Sequence, residues 1–320
     1  LEIFRLFIGM LRVVCRARLL SSSFFSPKAV GVWQRNVYTG ENLQYNEEAH
    51  LRDQVDSEQE EMHLSTAERV KSLMELRISG TLSSMAIKMK TEGSKQEDPA
   101  PSSGGAPLWA SVMPYIVHDS KPVFGVFPTE RHCANLFLHE KASLVVYSLT
   151  PSIHNPAKLP LPRMNLSGLA KSVSESDLED IQKKFTEVHP RAEEFVDDYN
   201  FFSLHLEEIV YYNQGEVTPV EMEDFHAAEA DPVSVQSRTL LARFNMPQYL
   251  SAFPSLCKEY ANEAVKEPIL YHIDRFGFNI LATSLQDATQ QDFRFPFPFE
   301  MKTTEEAAAA MDEAIQHLKN

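Results

Sequence analysis

The stretch that decides the fold runs from Leu108 to Leu149, in four pieces: LWASVMPYIVH (108–118), PVFGVF (122–127), TERHCANLFLHE (129–140) and ASLVVYSL (142–149). The first, second and fourth are apolar, partly β-branched runs bounded by turn residues, which read as strands. The third reads as one short helix. Upstream, ISGTLSSMAIKM (78–89) reads as a further strand. It follows a helix that opens on the capping box Ser65-Thr66-Ala67-Glu68 and runs to about Leu76, with Val70, Leu73, Met74 and Arg77 at helical spacing. Downstream, a Pro-rich connector, TPSIHNPAKLPLP (150–162), leads to the strand RMNLSGLAKSV (163–173). Ser176-Asp177-Leu178-Glu179 reads as a second capping box, opening a helix to about Val188. His189-Pro190 interrupts it, and Arg191–Asp198 is expected as another short helix. In FFSLHLEEIVYY (201–212), Phe202, Leu204 and Leu206 alternate with Ser203, His205 and Glu207, as in a strand buried on one face. The pattern predicts an α+β protein built on an antiparallel barrel with interleaved helices.

Composition places the breaks. Residues 1–40 carry arginines, serines and apolar residues with one acid, and are expected to be an organelle transit peptide. Their apolar runs are too short, and too often broken by arginine, for a membrane span. Residues 41–64 form an acidic, polar lead-in expected to be disordered, and a Gly-, Pro- and Ser-rich insertion at 90–106 is expected to be disordered too. The barrel domain is thus assigned to 65–215, a linker to 216–234 and a small α+β domain to 235–320. The last should contain one or two helices, a hairpin in PILYHIDRFGFNILATS (268–284), and a final helix capped at Thr303-Thr304-Glu305-Glu306.

Charge excludes one class of partner. The formal net charge is −15, although residues 1–40 hold six basic residues against Glu2, so the rest of the chain is more acidic still. Such a body repels phosphate backbones, and no nucleic-acid partner is expected. Cys15, Cys133 and Cys257 stand apart without metal spacing, which argues against a disulfide scaffold and for a reducing compartment. No metal is expected. No GxSxG, GxGxxG, P-loop or zinc signature occurs. The adjacent pairs Glu207-Glu208 and Asp197-Asp198 diverge in regular structure, which does not suit acid–base catalysis.

The order of elements, with GAPLWASVMPY (105–115), ERHCANL (130–136), RMNLSGLA (163–170) and YNQGEVTPVEMEDFHAAEADPV (212–233), resembles the pyridoxamine-phosphate-oxidase-like FMN-binding split β-barrel family. The C-terminal part, with YHIDRFGF (271–278), is similar to the small, DUF2470-like domain fused to that barrel in HugZ-type haem-degrading proteins and in plastid glutamyl-tRNA-reductase-binding proteins. The resemblance covers about 65–320. It implies a homodimer with FMN or haem in the cleft between subunits, in a mitochondrion or chloroplast. It also implies an alternative role, as a non-catalytic adaptor for a tetrapyrrole-synthesis enzyme such as glutamyl-tRNA reductase. Two departures matter. Where the haem-degrading proteins carry a histidine-rich run, this chain reads Arg243-Phe244-Asn245-Met246-Pro247-Gln248, keeping only the asparagine. The arginine-rich ending of a true vitamin B6 oxidase is also missing from FRFPFPFEMK (293–302), so that activity is not implied.

The candidate cofactor-binding residues are Arg131, His132, Asn135, Ser111 and Arg163. Arg131 and His132 open a helix, where a guanidinium beside outward-pointing N–H groups can clamp a phosphate or propionate. Asn135 lies one turn further on. In the family this segment faces the anionic tail of the cofactor, and the strand of Ser111 flanks its ring. The residues alone equally allow an ion pair of Arg131 with Glu130 or Glu140, a strand serine bonded locally, and an arginine snorkelling at the start of its strand. Gly168 reads as a bulge or a point of close packing. His118, His139, His205, His226 and His272 stand singly, without metal spacing. Cys133 reads as a buried structural thiol.

Overall fold

The computed structural model describes residues 63–86, 107–148, 161–213 and 215–318. The expected transit peptide, nearly all of the acidic lead-in, and the insertion at 90–106 lie outside these residues. The described part forms two compact units, 65–239 and 240 onward.

The first unit begins with α1 (Thr66–Leu76), whose N-terminus carries the expected capping box. Ser65 Oγ accepts from the Glu68 N–H, and the Glu68 carboxylate accepts from the Ser65 N–H. Then come β1 (Ser79–Met85), β2 (Leu108–His118), β3 (Lys121–Val126), α2 (Arg131–Leu138), β4 (Lys141–Tyr147), β5 (Arg163–Ser172) and α3 (Glu175–Val188). The capping reading at Ser176 is shifted: α3 starts two residues earlier, and the Ser174 and Ser176 hydroxyls bond the Asp177 carboxylate rather than a backbone amide. The helix expected over 191–198 is two separate 3₁₀ turns, Pro190–Ala192 and Val196–Asp198.

β6 (Asn200–Asn213) and β7 (Glu216–Val220) follow, then α4 (Met222–Ala227) and α5 (Pro232–Val235). The stretch read as a linker at 216–234 is therefore structured. β7 pairs with β6, and Val220 and Phe225 enter the barrel core. Alternation in β7 is hidden by Pro219 and by its exposed face, which is why composition alone suggested a connector.

The strands run antiparallel in the order β3-β2-β1-β4-β5-β6-β7, and β3 also pairs with β6, closing a six-stranded barrel with β7 appended. The interior is filled by inward residues such as Leu82, Tyr115, Leu144, Leu166 and Leu204, and α1 contributes Val70 and Met74. Outside, α3 lays Ile181 and Phe185 over Ile116, Val123 and Phe201.

The β5–β6 pairing in this unit carries a register shift. Ser167 pairs with Glu208 but Gly168 pairs with Leu206, so Glu207 is an extra residue in a β-bulge. Before it Phe202 and Leu204 point inward; after it Ile209 and Tyr211 do. A Cβ on Gly168 would stand 1.9 Å from the His205 carbonyl oxygen, so only glycine allows this approach.

α6 (Arg238–Phe244) follows at the boundary between the two units. The second unit continues with α7 (Pro247–Leu250), α8 (Phe253–Ala261), β8 (Val265–Asp274), β9 (Gly277–Ser284), β10 (Gln290–Pro296) and α9 (Thr304–His317). The expected hairpin is β8–β9, but a third strand, β10, pairs with β9 and makes it central. At this sheet Asp274 accepts from Arg294 Nη2 at 2.6 Å and lies 3.0 Å from His272 Nε2, and Arg294 Nη1 donates to Asn279. Burial alone would raise the Asp274 carboxyl. The Arg294 guanidinium and the His272 hydrogen bond outweigh it and hold the group well below the usual carboxylate range. Among the described residues no helix is long and apolar enough to cross a membrane.

Candidate functional site

The site is built where α2 covers one end of the barrel. α2 buries His132, Cys133, Asn135 and Leu136 along one face, at the spacing a single helical stripe requires. His132 and Asn135 therefore point at the strands beneath them. On β1 the inward phase that carries Leu82 also carries Ser84; on β2 the phase of Met113 carries Ser111 and Trp109. Ser84 and Trp109 are directly paired across the two strands.

These side chains meet in one hydrogen-bonded group. His132 Nδ1 lies 2.8 Å from Ser84 Oγ and Nε2 lies 2.7 Å from Ser111 Oγ. Asn135 Nδ2 donates to Ser84 Oγ at 3.0 Å. Ser84, His132 and Asn135 are buried, His132 being only 1% exposed, while Ser111 is half-buried. Burial lowers the pKa of His132, because the charged imidazolium would lose its hydration there. Both ring nitrogens are engaged, so His132 offers no lone pair to an iron ion without breaking this group.

Arg131, next in the chain and half-buried, stacks its guanidinium over the Trp109 indole, 4.7 Å from the ring centroid. Trp109 itself is 42% exposed. The accessible rim of the site is thus a cation on an aromatic plate with the Ser111 hydroxyl beside it on the same strand. Chemically, such a rim offers a cation and a hydroxyl to an anion and an exposed indole to a planar ring.

The structure brings together four of the five expected residues, but in two layers. Ser111 and Arg131 form the rim, while His132 and Asn135 are interior and hold the rim from behind. Arg163 stands elsewhere. It is five residues along β5 from Gly168, which is in register with Ala142 and so with Ser84, a separation of about 17 Å along the strand. There it lies over Tyr212, 4.8 Å from the ring centroid, on the outer face of the sheet.

Ser84 and Trp109 were not singled out from the sequence. Ser84 had a legible signal, since alternation from Leu82 places a serine on a core position, where a hydroxyl must find a partner. Cys133 is a buried thiol raised chiefly by desolvation, with Asn200 Nδ2 at 3.2 Å, as a structural role requires.

In the second unit, the segment that begins at Arg243 forms a clamp. Arg243 bonds Asp312 at 2.7 Å and Tyr249 Oη at 3.2 Å, Phe244 is fully buried, and the Asn245 amide bonds the backbone of Leu241 and Leu270.

No protein-family model matches the chain, and no curated protein matches it. Solved structures do. A haem-binding protein from Mycobacterium smegmatis superposes on 80% of this chain and 98% of its own, with a TM-score of 0.52 and 19% identity. ChuZ from Campylobacter jejuni covers 55% of this chain and 70% of its own, with a TM-score of 0.40 and 9% identity. A protein of the pyridoxinephosphate oxidase family from Clostridium acetobutylicum covers 50% and 96%, with a TM-score of 0.36 and 12% identity. Barrel, interleaved helices and a following three-stranded sheet with helices together give this chain an α+β split β-barrel fold with a small α+β domain.

Proposed function

We propose that this chain is a dimeric split-barrel protein that binds FMN or haem, with the anionic tail of the cofactor held at Arg131 and Ser111. The observation that carries this reading is the rim itself: a guanidinium on an exposed indole, beside a hydroxyl fixed by a buried histidine. The fold shared with a mycobacterial haem-binding protein supports it. When bound, either cofactor supplies the redox or oxygen chemistry; the protein supplies binding, orientation and exclusion of water.

The outer face of the sheet supports the dimer. Leu108 and Val112, each 73% exposed, project from β2 on the opposite phase to Ser111, and Tyr147 and Val217 are exposed on the same sheet. Apolar side chains exposed in this way gain free energy when a second copy covers them. Arg163, which lies on that face, belongs in this reading to the subunit interface. The composition of residues 1–40 supports import into a mitochondrion or chloroplast.

A second reading, the adaptor for a tetrapyrrole-synthesis enzyme such as glutamyl-tRNA reductase, is favoured by one observation. The Arg243–Asp312 clamp and the Asn245 bonds give that segment a structural task where the haem-degrading relatives carry imidazoles.

The test is titration of the purified chain with FMN and, separately, with hemin. A flavin spectrum retained through gel filtration, or a Soret band, is expected for one of them. Arg131→Ala should weaken that binding by at least about ten-fold, the size of a lost charge-assisted contact. If neither cofactor binds and an organellar enzyme co-purifies, the adaptor reading replaces this one.

A further inference from the structure

The hydrogen-bonded group behind the rim has a direction. Among the described residues, Ser84 Oγ has two side-chain neighbours: Asn135 Nδ2 at 3.0 Å and His132 Nδ1 at 2.8 Å. An amide nitrogen only donates, so Asn135 fills one acceptor position of Ser84, and turning the serine proton to Nδ1 is the arrangement that gives this buried hydroxyl an acceptor among these two neighbours. A neutral imidazole has one N–H and one lone pair. With Nδ1 accepting, the proton resides on Nε2, which donates to Ser111 Oγ across 2.7 Å. Ser111, accepting from the ring, turns its own proton away from it, toward the half-exposed side where Arg131 lies over Trp109. Burial of His132 favours the neutral ring that this requires.

We infer that the chain Asn135–Ser84–His132–Ser111 is polarised outward, fixing Ser111 as a hydrogen-bond donor that acts with Arg131 to recognise an oxyanion, the carboxylate or phosphate of a ligand tail. The ligand part of this inference rests on the proposed cofactor-binding function; the polarity of the chain does not. His132 is a positioning residue here. The same contact with reversed polarity would make Ser111 the donor to Nε2, as in an activated nucleophile. That arrangement would have Ser84 accept from both Asn135 and Nδ1 and would turn its own buried proton away from both. The outward chain makes this a binding device and not an acyl-transfer site.

Two measurements test it separately. Nitrogen-15 NMR of the imidazole in the ligand-free protein should show His132 as the Nε2–H tautomer; an Nδ1–H tautomer overturns the inference whatever binds. The second measurement compares ligand pairs that differ only at the tail: FMN with riboflavin, and hemin with its dimethyl ester. Ser111→Ala should lower affinity for the tail-bearing member of the pair that binds by about ten-fold and leave the tail-less member unchanged, while Ser111→Thr keeps the wild-type difference. Equal loss for both members, or no loss for either, removes the donor role. Covalent labelling of Ser111 by a fluorophosphonate would also overturn it. If the wild-type protein binds none of the four ligands, the cofactor reading fails while the tautomer result still stands.

Discussion

His132 concentrates the cost of burying a polar ring and the means of offsetting it. Two serines take its two nitrogens, so removing the ring leaves both hydroxyls without that partner and opens a hole against β1 and β2. His132→Ala should therefore destabilise the fold by about 2–4 kcal/mol, measured by urea denaturation. Its pH dependence has a definite sign. Because burial lowers the folded-state pKa, the unfolded chain takes up a proton first as pH falls. The contribution of His132 is thus complete above the unfolded value of about 6.5 and declines as pH falls toward the folded value. Replacing it with glutamine should flatten the stability profile in that window; an unchanged slope would mean that His132 is not desolvated in solution. Asp274 behaves alike for a different reason. Its folded pKa is depressed, so its contribution is present above the unfolded value of about 4 and is lost as pH falls below it. Asp274→Asn removes the charge that Asp274 presents to the buried Arg294 and should cost about 3–5 kcal/mol in the same assay. At this scale the sequence revealed Arg131, His132, Asn135 and Ser111 through the helix start and strand they occupy. It did not reveal which of them face inward, because that depends on how α2 is rotated over β1 and β2.

Elements with strong local signals appear where the sequence pattern puts them. The Ser65–Glu68 box, the alternation of β1, β4 and β5, and the Thr303 cap of α9 are set by residues within four positions of one another. Ser65→Ala should cost about 1 kcal/mol and fray α1, which amide exchange at Ala67 and Glu68 would report. Elements decided by distant partners were not legible. β10 carries Arg294 in its interior, a residue that argues against a buried strand until Asp274 and Asn279 are seen to receive it. β7 hides its pairing behind a proline. The bulge in β6 lies between these cases: Gly168 signals it from the neighbouring strand, while the surplus residue, Glu207, looks like one more member of a regular alternation. Gly168→Ala should destabilise the barrel by more than about 3 kcal/mol, since the new methyl would collide with backbone rather than with a movable side chain.

For the whole molecule, the proposed dimer rests on the exposed apolar residues of the outer face. Val112→Asp places a charge on that outer face without touching the barrel core, so light scattering should show the proposed dimer of the wild type replaced by a monomer that keeps its melting temperature. A wild-type monomer would remove the inter-subunit cleft from the proposed function. The barrel also contains its own point of mechanical division. Asn200–Ser203 of β6 bond to β3, whereas Ile209–Asn213 bond to β7, and Glu207 falls between the two sets. One unpaired residue therefore acts as a hinge pin in a strand that belongs to a closed cylinder at one end and to an open fork at the other. Breathing of the fork need not propagate past it, and the lower half of the strand can keep its deuterium-exchange protection while the upper half loses it.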